Sequence, residues 1–483
     1  MGGKRETLGQ KCSSAGQAPI NDIINTSQHT LIVKLHLQLS LTSFMAGISK
    51  SQTHLTEKLH LLQQLGYSDI FRDEDSPAVF RYRSVVDANT QSDLHLLDLI
   101  AACLATGKPG DVVIAAFDKR KQISLVLAKS GSIDSADYAA THAFLSALRE
   151  AKSWVDLLPF LATHSKRNID KRVSNLHKSI TDLCDELRST AMDYKFSSME
   201  EEFPRSGLYR KAKYPEPPTP QRFLYDLIGT CISESTEFEM QDNAFSRSQY
   251  IELFGAADSL NRSFFLAYFV ANSREKNLKY SKFNERVERL KRRLDKVCQY
   301  AKINTLMRLV RRIPNIPFRW VEDHLVGTGE ELLEICTDPM EVVERTLGHS
   351  PSPRQTDALL RRCPDLSRNW ERRRSINPRV HPEILVILHL SRPLLSLSPW
   401  NNSTYLPIGC SKSSCLCCMS WMESFNHVTG MLWVTSGSRG KPYDHWALPG
   451  AAGEIKLVQR WRDFDTRVIQ DVDWRLYSQL DTT

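Results

Sequence analysis

Four of the chain's eleven cysteines, Cys410, Cys415, Cys417 and Cys418, lie within nine residues, and His381-Pro382-Glu383 precedes them. No hydrophobic core requires thiols at that density, so this stretch limits the fold more than any other. Cys415 and Cys418 stand at i and i+3, which puts both sulfurs on the first turn of a helix and on nearly the same side. Thiolates with one imidazole form an accepted zinc set, and His381 supplies the imidazole. The free N–H groups and dipole of a helix start favour thiolate at Cys415 and Cys418. Pro382 suits the first position of a second helix, so two helix starts are expected to converge on one ion. Glu383 need not bind metal and can serve as a proton carrier beside it. Two ligand sets stay open: His381, Cys415 and Cys418 with an open position for water, or a closed Cys3His set in which Cys410 is the fourth ligand. Cys417 reads as a core residue on the other side of the same helix. His389, His427 and His445 read as packed or surface histidines.

His-x-Glu followed by Pro-Cys-x-x-Cys is the signature of zinc deaminases. The strings VHPEI, PIGCSKSSCLCC and SGSRGKPYDHWALP together resemble the fungal OTT-type deaminase-like proteins of the cytidine deaminase-like superfamily, over about residues 378–450. The resemblance implies an α/β/α sandwich, zinc held by His381, Cys415 and Cys418, Glu383 as proton shuttle, and nucleotides or nucleic-acid bases as substrates. Two departures stand out. Ser414 replaces the superfamily's usual proline, and Arg439 stands where histidine is expected in relatives, which bears on substrate contacts. Lys412 is a candidate for a substrate phosphate, and Trp433, Tyr443 and Trp446 are candidates to stack on a base. Lys412, Arg439 and Trp446 make up the expected substrate contacts. The expected function is zinc-dependent hydrolytic deamination of a nucleobase in a nucleotide or nucleic acid. The alternative is a catalytically inactive, zinc-stabilised interaction module derived from a deaminase fold, with its helical region binding a protein partner.

With 483 residues the chain is long enough for two or three compact units. A hydrophobic share of 41% and a charged share of 25% are those of a globular protein, and a mean hydropathy of -0.35 argues against a membrane one. The apolar run from Thr30 is broken by Lys34, His36 and Gln38, so it reads as neither signal peptide nor membrane span. Without a secretory signal the cysteines read as reduced thiols or metal ligands, and the location as cytoplasmic or nuclear. A net charge of +7 over this length implies no particular partner. The expected organisation is a disordered tail over 1–30 and an N-terminal α/β segment over 31–131, containing a hairpin at 111–128. A mostly helical region over 132–376 follows, with a proline-rich connector near 214–221, then the zinc deaminase-like core at 377–450 and a C-terminal tail at 451–483. The superfamily core implied by the resemblance runs helix, strand, strand, then the His-x-Glu helix. No strand pair directly precedes His381, so the hairpin at 111–128 is expected to be the first half of the deaminase sheet and the helical region a large insertion.

Overall fold

A computed structural model describes residues 50–68, 87–275, 282–321, 332–395, 405–438, 440–449 and 455–481. It divides into two compact units, Met1–His54 and Leu55–Thr483. In the first, the described residues 50–54 are helical. The tail expected over 1–30 and the apolar run from Thr30 lie outside the described residues. All that follows concerns the second unit.

It opens with helical residues 55–64 (α1). The next helix is Ala88–Leu104 (α2), whose start is fixed by Asp87, a side chain accepting the N–H groups of Asn89 and Thr90. The β-branched and apolar runs either side of the polar DKRK turn form an antiparallel hairpin of β1 (Val113–Asp118) and β2 (Ser124–Lys129). A long helical region follows. In Lys166–Asp182 (α3) the four-and-three spacing buries Ile169, Val173, Leu176 and Ile180, and in Lys282–Cys298 (α4) it buries Val287, Leu290, Leu294 and Val297. A 3-10 turn, Gln299–Ile303, continues from α4.

The helical region returns to the sheet through β3 (Phe318–Trp320), which lies parallel to β2 with Leu125 opposite Phe318. Arg319 ties this edge down: it donates to Asp118 Oδ2 on β1 at 2.7 Å and to His389 Nε2 at 3.0 Å. A two-residue ladder pairs β4 (Leu333–Glu334) with β5 (Ser375–Ile376). The C-terminal part then alternates helix and strand: α5 (Pro382–Leu395), β6 (Tyr405–Cys410), α6 (Leu416–Thr429) and β7 (Leu432–Thr435). β6 runs antiparallel to β1, with Ala116 opposite Ile408, and parallel to β7, with Ile408 opposite Thr435. The five-stranded sheet has the order β3-β2-β1-β6-β7, so strands from residues 113–129 and 405–435 share one mixed sheet in an α/β fold.

Strand side chains alternate between the two faces. On one face Val113, Ala115, Leu125 and Leu127 join a core with α2 and the helical region. On the other, Ile114, Ala116, Val126 and Ala128 join α5, α6 and the C-terminal helix. That last helix, α7 (Ile455–Asp481), corrects the expectation of a tail at 451–483. Phe464, Val468, Val472, Leu476 and Leu480 recur every fourth residue and are all buried, which is why the segment is helical and docked. Among the described residues no helix is long and apolar enough to cross a membrane, and the cysteines are free thiols.

Candidate metal centre

The two helix starts meet. His381 is the residue before Pro382, and its carbonyl accepts the N–H groups of Ile384 (3.0 Å) and Leu385 (3.2 Å), opening α5. Cys415 is the N-cap of α6: its backbone is extended, and its sulfur accepts the N–H of Cys418 at 3.3 Å. An acceptor at the N-cap answers one of the unpaired N–H groups of the first turn, and a thiolate answers the dipole as well.

His381 Nδ1 lies 3.5 Å from Cys415 Sγ and 3.4 Å from Cys418 Sγ, and the three ligand atoms all fall within 4.8 Å of one another. Tetrahedral zinc with ordinary Zn–N and Zn–S bonds separates nitrogen and sulfur by about 3.6 Å, so the donors are spaced as such an ion requires. The donor set is chemically suited as well, with one imidazole and two sulfurs buried at a helix start. His381 Nε2 and Glu383 Oε2 are both buried without a hydrogen-bond partner. Glu383, on the first turn of α5, is 4% exposed, and its charge interacts with both His381 and Cys415.

The charges of His381, Glu383, Cys415 and Cys418 are mutually dependent. Burial raises the Cys415 thiol, but the Cys418 hydrogen bonds and the His381 charge outweigh it and hold Cys415 well below a free thiol. Burial lowers His381, and the Cys415 sulfur more than offsets this, leaving the imidazole raised. Burial raises Glu383. Cys418 is raised too, by burial and by the neighbouring Cys415. The two sulfurs are thus pushed in opposite directions, Cys415 toward thiolate and Cys418 toward thiol.

The other sequence candidates separate cleanly. Cys410 ends β6 with its sulfur toward Ser414 Oγ (3.8 Å) and Ile408 O (4.0 Å), outside the group of three, which disfavours the closed set. Cys410→Ala is accordingly expected to leave zinc stoichiometry unchanged, as measured by metal analysis of the purified chain. Cys417 is fully buried in the core. Lys412 is exposed just beyond β6, and Arg439 lies outside the described residues. Trp446 is 0% exposed, which corrects its reading as a base-stacking residue: neither ring face is open to a base. Trp433 is buried in the same core.

Tyr443 and His445 do line the site. Their rings sit 6.2 Å and 5.3 Å from that of His381 and 5.4 Å from each other. Between them Asp444 is fully buried, accepting from His60 Nδ1 on α1 (2.8 Å) and from Arg373 Nη2 (2.8 Å), with His445 Nδ1 at 3.5 Å. Asp444 thereby fastens the loop carrying Tyr443 and His445. Burial works to raise its carboxyl, but hydrogen bonds from His445 and His60 and the Arg373 charge hold it well below the ordinary value. A carboxylate depressed in the folded state adds stability that is present above about pH 4 and lost as pH falls further. Asp444→Asn is expected to melt at a lower temperature at pH 7 and to lose less on acidification from pH 5 to pH 3. An unchanged acid slope in a series of thermal melts would count against this role.

The sequence reading missed His60 and Asp444 as a pair, because 384 positions separate them and neither lies in a motif. It also set His445 aside as packed or surface, although the adjoining acid in YDHW was a local signal.

No curated protein and no solved structure matches the chain. The family model described as "OTT_1508_deam:-like deaminase" matches residues 380–450. That span holds His381, Glu383, Cys415, Cys418, Tyr443 and His445, and this C-terminal segment is OTT-type deaminase-like.

Proposed function

We propose that the chain is a zinc-dependent deaminase that hydrolyses the exocyclic amine of a nucleobase carried in a nucleotide or nucleic acid. The observation that carries this is one point in the fold: His381 Nδ1, Cys415 Sγ and Cys418 Sγ converge beside the unpaired, buried Glu383 Oε2. On this reading α2, β1, β2, α5, β6, α6 and β7 form a cytidine deaminase-like α/β/α sandwich. Residues 132–376 are then an insertion between its second strand and its His-x-Glu helix.

His381, Cys415 and Cys418 would hold the zinc. When bound, zinc supplies a Lewis acid that makes a water acidic enough to lose a proton near neutral pH. Glu383 accepts that proton as the water attacks the ring carbon bearing the amine, then delivers it to the departing nitrogen. The C–N bond breaks, ammonia leaves and the ring gains a carbonyl. Tyr443 and His445 form a wall on the His381 side against which a base can lie. Trp446 and Phe425, both wholly buried, fill the core rather than the mouth.

Ammonia release from nucleosides, nucleotides and single-stranded DNA and RNA tests the reading. Turnover of one of these is expected, reduced roughly 10²–10⁴-fold in Glu383→Gln with zinc content retained. A zinc-replete wild-type chain with no turnover on any of them would overturn the enzyme and leave the interaction module.

A further inference from the structure

The basic stretch that follows the helix Leu366–Glu371 is built onto the rim of the metal centre. Its residues 372–379, RRRSINPR, hold four arginines and no acid. Arg373 is spent inside the protein, its Nη2 donating to the buried Asp444 at 2.8 Å. Arg379 fastens the same loop through its backbone: its N–H donates to His445 O at 2.7 Å, and its carbonyl accepts the Ala447 N–H at 2.9 Å. Two anchors thus hold the segment against the loop whose Tyr443 and His445 rings lie beside His381. The side chains of Arg372, Arg374 and Arg379 are exposed, and among the described residues no carboxylate lies within ion-pair distance of any of them. The acids around them are engaged: Asp365 pairs with Arg368, Glu334 accepts the Ser375 hydroxyl, and Asp444 is answered by His60 and Arg373. Even with the exposed Glu371 counted against Arg372, two of the three positive charges remain uncompensated.

Spacing separates a polymeric ligand from a mononucleotide. Ser375 and Ile376 form β5, Asn377 precedes a proline, which favours extended backbone, and Arg379 is bridged to Trp446, so the chain from Arg374 to Arg379 is drawn out. At about 3.3 Å per residue these two positions stand roughly 15 Å apart. One phosphate reaches one of the guanidinium groups, whereas a row of phosphates reaches them all. We infer that this rim is a single-stranded nucleic-acid interface, with Arg372, Arg374 and Arg379 on backbone phosphates and Tyr443 and His445 stacking on bases beside the metal centre. Guanidinium is the side-chain cation best matched to phosphate, and an unpaired strand offers charge and ring faces together, which a cationic strip next to aromatic rings satisfies. The His445 side chain is 42% exposed, so its ring is open to such a contact. That the bound strand is the deamination substrate rests on the deaminase reading; that it binds at this rim does not.

Fluorescence anisotropy of the full chain with labelled single-stranded DNA and RNA of about 12 nucleotides, across a salt series, tests this. Binding of at least one is expected, with affinity falling as salt rises. In Arg372→Gln/Arg374→Gln/Arg379→Gln binding should weaken about a hundredfold at low salt, and the slope of log affinity against log salt should shrink by about 2, from three phosphate contacts at about 0.7 each. Arg372→Gln/Arg374→Gln, which spares the residue bridged to Trp446, should produce about two thirds of that change in slope. Zinc content and melting temperature should stay at wild-type values in both, and a merely structural role would not move the slope. Glu383→Gln is expected to bind as wild type does, so strand binding without turnover would remove the deaminase reading and leave the interface standing. Turnover of free nucleotides by a chain that binds no oligonucleotide would do the reverse and overturn the interface. Unaltered affinity and slope in the triple variant would also overturn it. So would competition by polyglutamate of matched charge as effective as by the unlabelled oligonucleotide, which would mark the rim as a docking face for an acidic protein.

Discussion

Cys415→Ser is expected to lower zinc affinity roughly a thousandfold while leaving α6 in place. The estimate takes about a third of a three-ligand binding free energy on the order of 10–16 kcal/mol, or about 4 kcal/mol. Serine is the informative replacement because the two roles of Cys415 then come apart. As an N-cap, serine is among the best residues, and its oxygen can accept the Cys418 N–H as the sulfur does at 3.3 Å. As a soft anionic ligand it fails, since a hydroxyl stays protonated near neutral pH. The helix start therefore survives and the metal is lost. Chelator competition should show this directly, and the variant should melt at the temperature of wild type stripped by chelator. Cys417→Ala is the control: its sulfur is buried on the other side of α6, so zinc should be retained despite a small cavity cost. One zinc per chain in Cys415→Ser at wild-type affinity would dissolve the proposed centre.

Local chemistry was legible in the sequence wherever it depends on near neighbours. The i, i+3 cysteines, Pro382 after His381 and the period-two hairpin at 111–128 each describe their own surroundings, and the structure has those elements at those places. The long helices were legible for the same reason, since Ile169 to Ile180 and Val287 to Val297 bury a stripe that any neighbour would cover. What could not be read is which neighbour. Asp98 meets Cys410 across 312 positions and Arg362 meets Gln479 across 117, and no periodicity encodes such pairings. β3 is three residues long and joins the sheet only because β2 offers an unpaired edge there, so its sequence carries almost no strand signal. Trp446 illustrates the converse. An aromatic residue beside a predicted site can face a ligand or the core with equal propensity, and packing against its surroundings decided for the core. The C-terminal helix is different, because its fourfold spacing from Phe464 to Leu480 was present in the sequence as a helical signal.

Gly409→Ala is expected to destabilise the protein by about 3–5 kcal/mol, the range of severe overpacking. Gly409 sits in β6 opposite Ala115, where α2 crosses the sheet. A Cβ there would lie 2.0 Å from the carbonyl carbon of Leu97 and 2.3 Å from the amide nitrogen of Asp98. Both are backbone atoms of a helix, so no rotamer change relieves the clash, and α2 must move off the strand as a body. That movement breaks the 2.8 Å Asp98–Cys410 bond and disturbs the end of β6, from which residues 411–414 lead to Cys415. Metal affinity should therefore fall together with stability, although Gly409 touches no ligand. Gly430→Ala isolates the alternative explanation. Gly430 caps α6 in the left-handed region at φ 72°, so alanine there costs backbone strain of about 1 kcal/mol. In denaturant melts the Gly409 variant should lose several times more than the Gly430 variant. Equal losses would mean that close approach of α2 to β6 is not what requires glycine at 409, and that the sheet reaches the metal centre by some other support.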